Sequence, residues 1–368
     1  GAFPVTNNVN DLSVRLSQAG IPLNHPTSPA QLQTPWFVRV LQAFSGWLAA
    51  LFLLGFIAMG VVFVVESPAA SMGLGLAMIG TAYGLFRRAR SDVLEHLALA
   101  ISLAGQLLVA WAVVEWWEAS PDSLWALLGW SLFGLQCVLA LIMPSQVHRG
   151  FSAFAASMAL YMALATSAMA VVTSGLVLLA MTLLWLNEFR WPGRFKDVQA
   201  WGYGLLLGLL AIQWLAHSGQ ALPLLNDMTD SAWAGLTPWL SVALLALALL
   251  LVFLSVFQRF SSSRGRWAAY PCAVALLIVS FYMPSVGQGV VVMSLGFAIG
   301  HRVLVGAGVL SLLLGIGSYY YWLESTLLLK SLTLLVIGGL LLLLRWALRQ
   351  WLSTPVATPD DGSLDHDA

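Results

Sequence analysis

From residue 43 to residue 344 the chain alternates long apolar runs with short polar breaks. A membrane-spanning helix needs about 20 apolar residues, within a range of roughly 17 to 25. Runs of that kind predict spans over 43–65, 71–86, 94–114 and 124–143. The stretch 151–189 is too long for one crossing and predicts two, with a tight turn near 171–175. Single spans follow at 201–217 and 236–257. The segment 267–300 divides at Pro284-Ser285-Val286-Gly287-Gln288-Gly289 into two short halves, and 303–320 and 327–344 complete a count of about twelve. The predicted fold is an all-α, polytopic transmembrane helical bundle. The two short pairs also admit a re-entrant reading, in which neither member reaches the far side.

Charge tests that count. Placing the N-terminus in the cytosol puts fifteen of the sixteen basic residues in cytoplasmic loops, where short loops concentrate Lys and Arg. They include Arg87, Arg88 and Arg90, Arg149, Arg190, Arg194 and Lys196, and Arg302. The outer loops hold Glu66, Glu115, Glu118, Asp122, Asp227, Asp230 and Glu324, and no base. Wrong helix parity would scramble this separation, so both termini are predicted to be cytoplasmic. Composition agrees: 9% charged and 60% hydrophobic residues, against about 25% and 45–50% in soluble domains.

Three regions follow. Residues 1–42 form a cytoplasmic segment in which Asn10 caps, and Gly20 ends, a short amphipathic helix carrying Leu12 and Leu16. Residues 43–345 form the bundle. Residues 346–368 form an acidic cytoplasmic tail, read as largely disordered. The first 40 residues lack the basic-then-apolar pattern of a cleavable signal peptide. A formal net charge of zero gives no pull toward nucleic acid. No Walker loop or dinucleotide fingerprint appears, so no cofactor is expected. Cys137 and Cys272 are too few for a disulfide framework, and no His spacing suits a metal.

The polar residues inside spans are few. Lys330 is the lone base within one, three residues in and so roughly 5 Å deep. Either its stem snorkels to the outer surface, or it pairs with Glu324 or Glu115 at a site lined by Ser325, Thr326 and Ser331. Trp116 and Trp117 beside Glu115 and Glu118, and the run Tyr319–Tyr321 with Trp322, read as interfacial belts. Gln106 and Gln136 fall at similar depths on antiparallel neighbours and predict an amide hydrogen bond between helices. Glycine steps at Gly80/Gly84, Gly204/Gly208 and Gly296/Gly300 predict close helix packing. Deep Asp or Glu, the mark of proton-coupled carriers, is read as absent, which argues against a proton or cation pump.

Gly296-Phe297 with His301-Arg302, and the run from Ser318-Tyr319-Tyr320-Tyr321-Trp322 through Glu324-Ser325-Thr326-Leu327-Leu328-Leu329-Lys330-Ser331, carry a resemblance. So do Pro35-Trp36 and Gly46-Trp47-Leu48-Ala49-Ala50. Over residues 35–350 the chain resembles a domain-of-unknown-function family of bacterial multi-pass inner-membrane proteins, usually accompanied by a membrane protein with a GDYxxLxY motif. The resemblance implies an inner-membrane location and that kind of partner. It supplies no reaction, and it draws attention to Glu324, Thr326, Lys330 and Ser331.

Three functional classes stand against these residues. A subunit or scaffold of a membrane complex fits the lack of soluble domains and deep carboxylates. A transporter of a small or lipid-like solute fits the helix count and the breaks near 171–175 and 284–289. An intramembrane enzyme fits least, since no catalytic constellation can be assembled.

Overall fold

The computed structural model describes residues 67–88, 92–117, 121–167, 169–190, 192–217, 235–259 and 283–322, with isolated helical positions at 48, 52, 55, 274, 278, 328, 331, 332, 335, 338, 339 and 342. Every regular element among the described residues is helical. Among the described residues nine α-helices occur in order: α1 Pro68–Arg88, α2 Asp92–Trp116, α3 Pro121–Ile142, α4 Gln146–Ala165, α5 Ala170–Leu186, α6 Phe195–His217, α7 Thr237–Arg259, α8 Pro284–Ile299 and α9 Arg302–Trp322. Two 3-10 turns, Glu188–Arg190 and Pro192–Arg194, join α5 to α6. Stretches of α1, α2, α3, α6 and α7 are long and apolar enough to cross a membrane. This is a helical membrane protein. The first and last predicted spans, and the half at 267–283, lie outside the described residues apart from those isolated positions.

Local chemistry sets the helix ends. Pro68 opens α1, where a missing N–H costs nothing, and Arg87 and Arg88 close it against the negative end of the helix dipole. Ser145 caps α4, its hydroxyl accepting from the His148 N–H. Two expected turns are corrected. The break in 151–189 comes at Thr166–Met169, earlier than predicted. There the Ser167 and Met169 N–H groups both return to the Leu164 carbonyl, and Val171–Gly175 are helical. Gly175 serves contact instead: a Cβ there would lie 3.0 Å from Leu244 Cβ. Likewise Pro284–Gly289 is no turn. Pro284 occupies the first turn of α8, and Val286 through Val292 are buried in the helix.

The α8–α9 connection is a tight Schellman turn. Gly300 takes φ 74°, a left-handed conformation open to glycine without steric cost. His301 N–H bonds the Gly296 carbonyl at 2.8 Å and Gly300 N–H bonds that of Phe297 at 3.3 Å. Chain reversal in two residues lays α9 directly along α8, and a Cβ at Gly296 would lie 2.6 Å from the Val305 nitrogen.

Two buried clusters hold the bundle. One gathers Leu178, Met181 and Trp185 of α5 with Leu206 and Leu209 of α6, Leu245 and Leu249 of α7, and Val291 and Leu295 of α8. The other joins Ile79, Ala82 and Phe86 of α1 to Ala98 and Val109 of α2, to Leu139 of α3 and to Met143 just past its end. Within lipid, close fit and interhelical hydrogen bonds hold helices together, more than apolar burial does. Small residues therefore line the seams. A Cβ at Gly204 of α6 would collide with the Gly150 carbonyl of α4, and one at Gly208 would lie 2.5 Å from Ser157 Cβ. Gly80 and Gly84 differ: no described residue comes within 4 Å of a Cβ built at either.

Candidate functional site

Alternating helix directions bring one set of ends together: the C-termini of α1, α3, α5, α7 and α8, and the N-termini of α2, α4, α6 and α9. This end carries Arg87, Arg88, Arg149, Arg190, Arg194, Lys196 and Arg302, and is called the basic end below.

Running from mid-bundle toward the basic end is a partly open cleft of about 620 Å³. Phe133, Cys137 and Leu141 of α3 line it, with Ala156 of α4, Ala180 and Leu184 of α5, and Trp201 of α6 contributing further surface. Its lining is almost wholly apolar. At its basic end Trp201 donates its indole N–H to the Ala140 carbonyl at 2.8 Å. The Arg149 guanidinium lies 5.8 Å from the Trp201 ring centre. Arg149 also pairs with Asp197 and donates to the Met143 carbonyl. One arginine thus ties α4 to the start of α6 and the end of α3.

A chain of buried side chains crosses α2, α3 and α4. Gln136 donates to Gln106 at 2.6 Å, Gln106 to Ser102 at 3.1 Å, Ser102 meets His148 Nε2 at 2.7 Å, and His148 Nδ1 meets Ser152 at 3.1 Å. A neutral His148 with its proton on Nδ1 satisfies the whole sequence in one direction. The Phe86 ring packs edge-on against His148, with centroids 5.6 Å apart. Pairing offsets the penalty of burying these groups, except for the Gln136 side-chain oxygen, which is buried without a partner.

The third feature lies at the turn between α5 and α6. Glu188 is 5% exposed. Gln199 hydrogen-bonds its carboxylate, while the second oxygen, Oε1, is buried without a partner. Trp185, one turn earlier, is likewise buried with its indole N–H unpartnered. Its ring fills the space left by Gly202, where a Cβ would lie 2.6 Å from Cε2. His301 reaches in from the α8–α9 turn. The Leu304 N–H donates to its Nδ1 at 3.4 Å, which leaves the ring proton on Nε2 to donate to the Tyr203 hydroxyl oxygen at 2.9 Å. Burial pushes the Glu188 acid above the usual carboxylate range, partly opposed by the Gln199 hydrogen bond and by His301. Tyr203 and Gln199 also line a groove of about 480 Å³ between α4 and α6, with Lys196 on its wall.

Sequence expectations meet these sites unevenly. Gln106 and Gln136 come together directly. Glu115 sits exposed at the end of α2, and Ser331 is exposed with its hydroxyl on the Leu328 carbonyl. Lys330, Glu324 and Thr326 lie outside the described residues. Glu188 is buried in the turn beyond the end of α5, outside the spanning stretches, so it is a buried acid at the basic end and not a deep one. His148 and His301, which no metal-ligand spacing singled out, are central to the two networks.

A family model described as Domain of unknown function (DUF4401) matches residues 35–351. The chain belongs to that family. The DUF4401 region contains all nine described helices, the apolar cleft and both polar networks. No curated protein and no solved structure matches the chain at significance.

Proposed function

We propose that this protein is a carrier of a lipid-like solute in a bacterial inner membrane, with the basic end of the bundle facing the cytosol. The cleft of about 620 Å³ supports this reading. Its size is that of a small-molecule site, and specific binding sites of this kind are apolar with few polar groups. An acyl chain lies along Leu141, Ala156 and Leu184, and the polar part of the solute lies toward the exposed Arg190, Arg194 and Lys196.

The test is native mass spectrometry of protein extracted gently from membranes, comparing wild type with Ala180→Trp, which fills the cleft from its exposed wall. Wild type is expected to retain lipid that the variant loses. Equal retention by both, or none by wild type, would overturn the assignment.

A second reading makes the chain a subunit of a membrane complex with a GDYxxLxY-type partner. The open glycine face of α1 favours it, because Gly80 and Gly84 admit close approach of another helix and no described residue fills the space. Its test is co-purification from native membranes, before and after Gly84→Leu.

A further inference from the structure

We propose that Glu188 is a proton-binding site, buried where α5, α6 and α9 meet beside the groove between α4 and α6. The geometry rests on four observations. The carboxylate is buried with one oxygen unpartnered. The indole N–H of Trp185, three residues earlier, is also buried without a partner. Tyr203 spans the boundary, bonded inward to His301 and lining the groove outward. Gln199 does the same, bonding Glu188 while lining that groove.

The groups around the carboxylate are few. From α5 comes the non-titrating Trp185, whose ring packs against Tyr203. From α6 come Gln199 and Tyr203, and from the start of α9 comes His301; Tyr203 and His301 are within electrostatic reach of Glu188. Arg190 and Arg194, on the same connection, point to the exposed surface. Asp197 is engaged with Arg149. No cation therefore closes an ion pair on Glu188 among the described residues, and the neutral acid is the form that costs least to bury.

The step is a balanced exchange. A hydronium ion reaching the site from the neighbouring groove gives one proton to the carboxylate, which becomes a neutral acid, and water is left behind. The acid O–H then serves as a donor at the junction of α5, α6 and α9. Loading changes the charge where three helices meet without changing any covalent bond in the chain. This site is separate from the apolar cleft and stands whether or not the cleft holds a lipid.

Infrared difference spectroscopy of the purified protein in detergent, with glutamate isotopically labelled, reads the carbonyl stretch of a protonated carboxylic acid during a pH titration. The expected band bleaches as pH rises, with a midpoint above that of exposed carboxylates, and is missing from Glu188→Gln. Gln199→Leu removes a hydrogen bond that favours the charged form, so its midpoint should rise by about one pH unit. A purely structural glutamate would show neither band nor shift. A labelled wild type with no titrating carboxyl band above the exposed range overturns the proposal even if Glu188→Gln fails to fold. A band that survives in a folded Glu188→Gln protein overturns it as well.

Discussion

The seam between α4 and α6 offers the sharpest test of how this bundle holds together. A methyl group placed on Gly204 would collide with the Gly150 carbonyl oxygen and lie 2.8 Å from the Ala153 methyl and 3.0 Å from the Gly150 carbonyl carbon. Two of these three atoms are backbone, so no rotamer change relieves the overlap and the helices must part. Overpacking of that kind costs about 1–3 kcal/mol. Replacing a helical glycine by alanine also returns up to about 1 kcal/mol of helix propensity, which would blur the result for Gly204→Ala alone. Gly134→Ala supplies the reference: it is a mid-helix glycine of α3 with no described residue within 4 Å of its Cβ. The propensity gain is common to both variants, so their difference isolates the collision. Gly204→Ala should be less stable than Gly134→Ala by about 1–3 kcal/mol, or about 5- to 150-fold in the unfolding equilibrium. Reversible unfolding in mixed detergent micelles, followed by circular dichroism, measures it. Two variants agreeing within about 0.5 kcal/mol, a normal surface effect, would refute the claim that α4 and α6 touch through Gly204.

Three further outcomes are expected. A double-mutant cycle on Gln106→Leu and Gln136→Leu should return a coupling of about 0.6 kcal/mol, and at most about 1.7, as for other hydrogen bonds between membrane helices; no coupling would separate the two amides. Gly300→Ala should destabilise by about 1–2 kcal/mol because of the φ of 74°, and equal thermal midpoints would deny the left-handed turn. The raised acid of Glu188 binds its proton more tightly in the native state than in the unfolded one. Its stabilising contribution is present below the unfolded pKa and is lost as pH rises through the native one. Glu188→Gln should therefore gain stability relative to wild type from acid to neutral pH, measured by thermal melts, and a variant that loses ground to wild type as pH rises would contradict this.

The apolar runs made most helices legible, because a span is written in composition over a local window. The predicted spans at 71–86, 94–114 and 124–143 fall within α1, within α2 and almost wholly within α3. Turns were harder to read, since the same residues serve two purposes. Pro284 suits a loop and equally suits the first turn of a helix, and Gly175 suits a bend but here makes room for Leu244. The Glu188 site was illegible for another reason. Its burial depends on Trp185 settling over Gly202 and on His301 arriving from a hairpin more than a hundred residues later. The His148 chain similarly joins residues more than forty positions apart, of which only the two glutamines announced themselves by depth.

The unequal lengths of the helices have an electrical consequence. At 1.5 Å per residue, α5 and α8 are about 25 Å long, while α6 and α7, each of 23 residues, reach about 35 Å. At the end opposite the arginines, the starts of α5, α7 and α8 surround a hollow of about 270 Å³ bordered by Val171, Trp239, Ser241 and Pro284. Solvent filling that hollow would shorten the insulating column beneath it, and a transmembrane voltage would then fall more steeply there, across the buried Gln288–Ser174 contact.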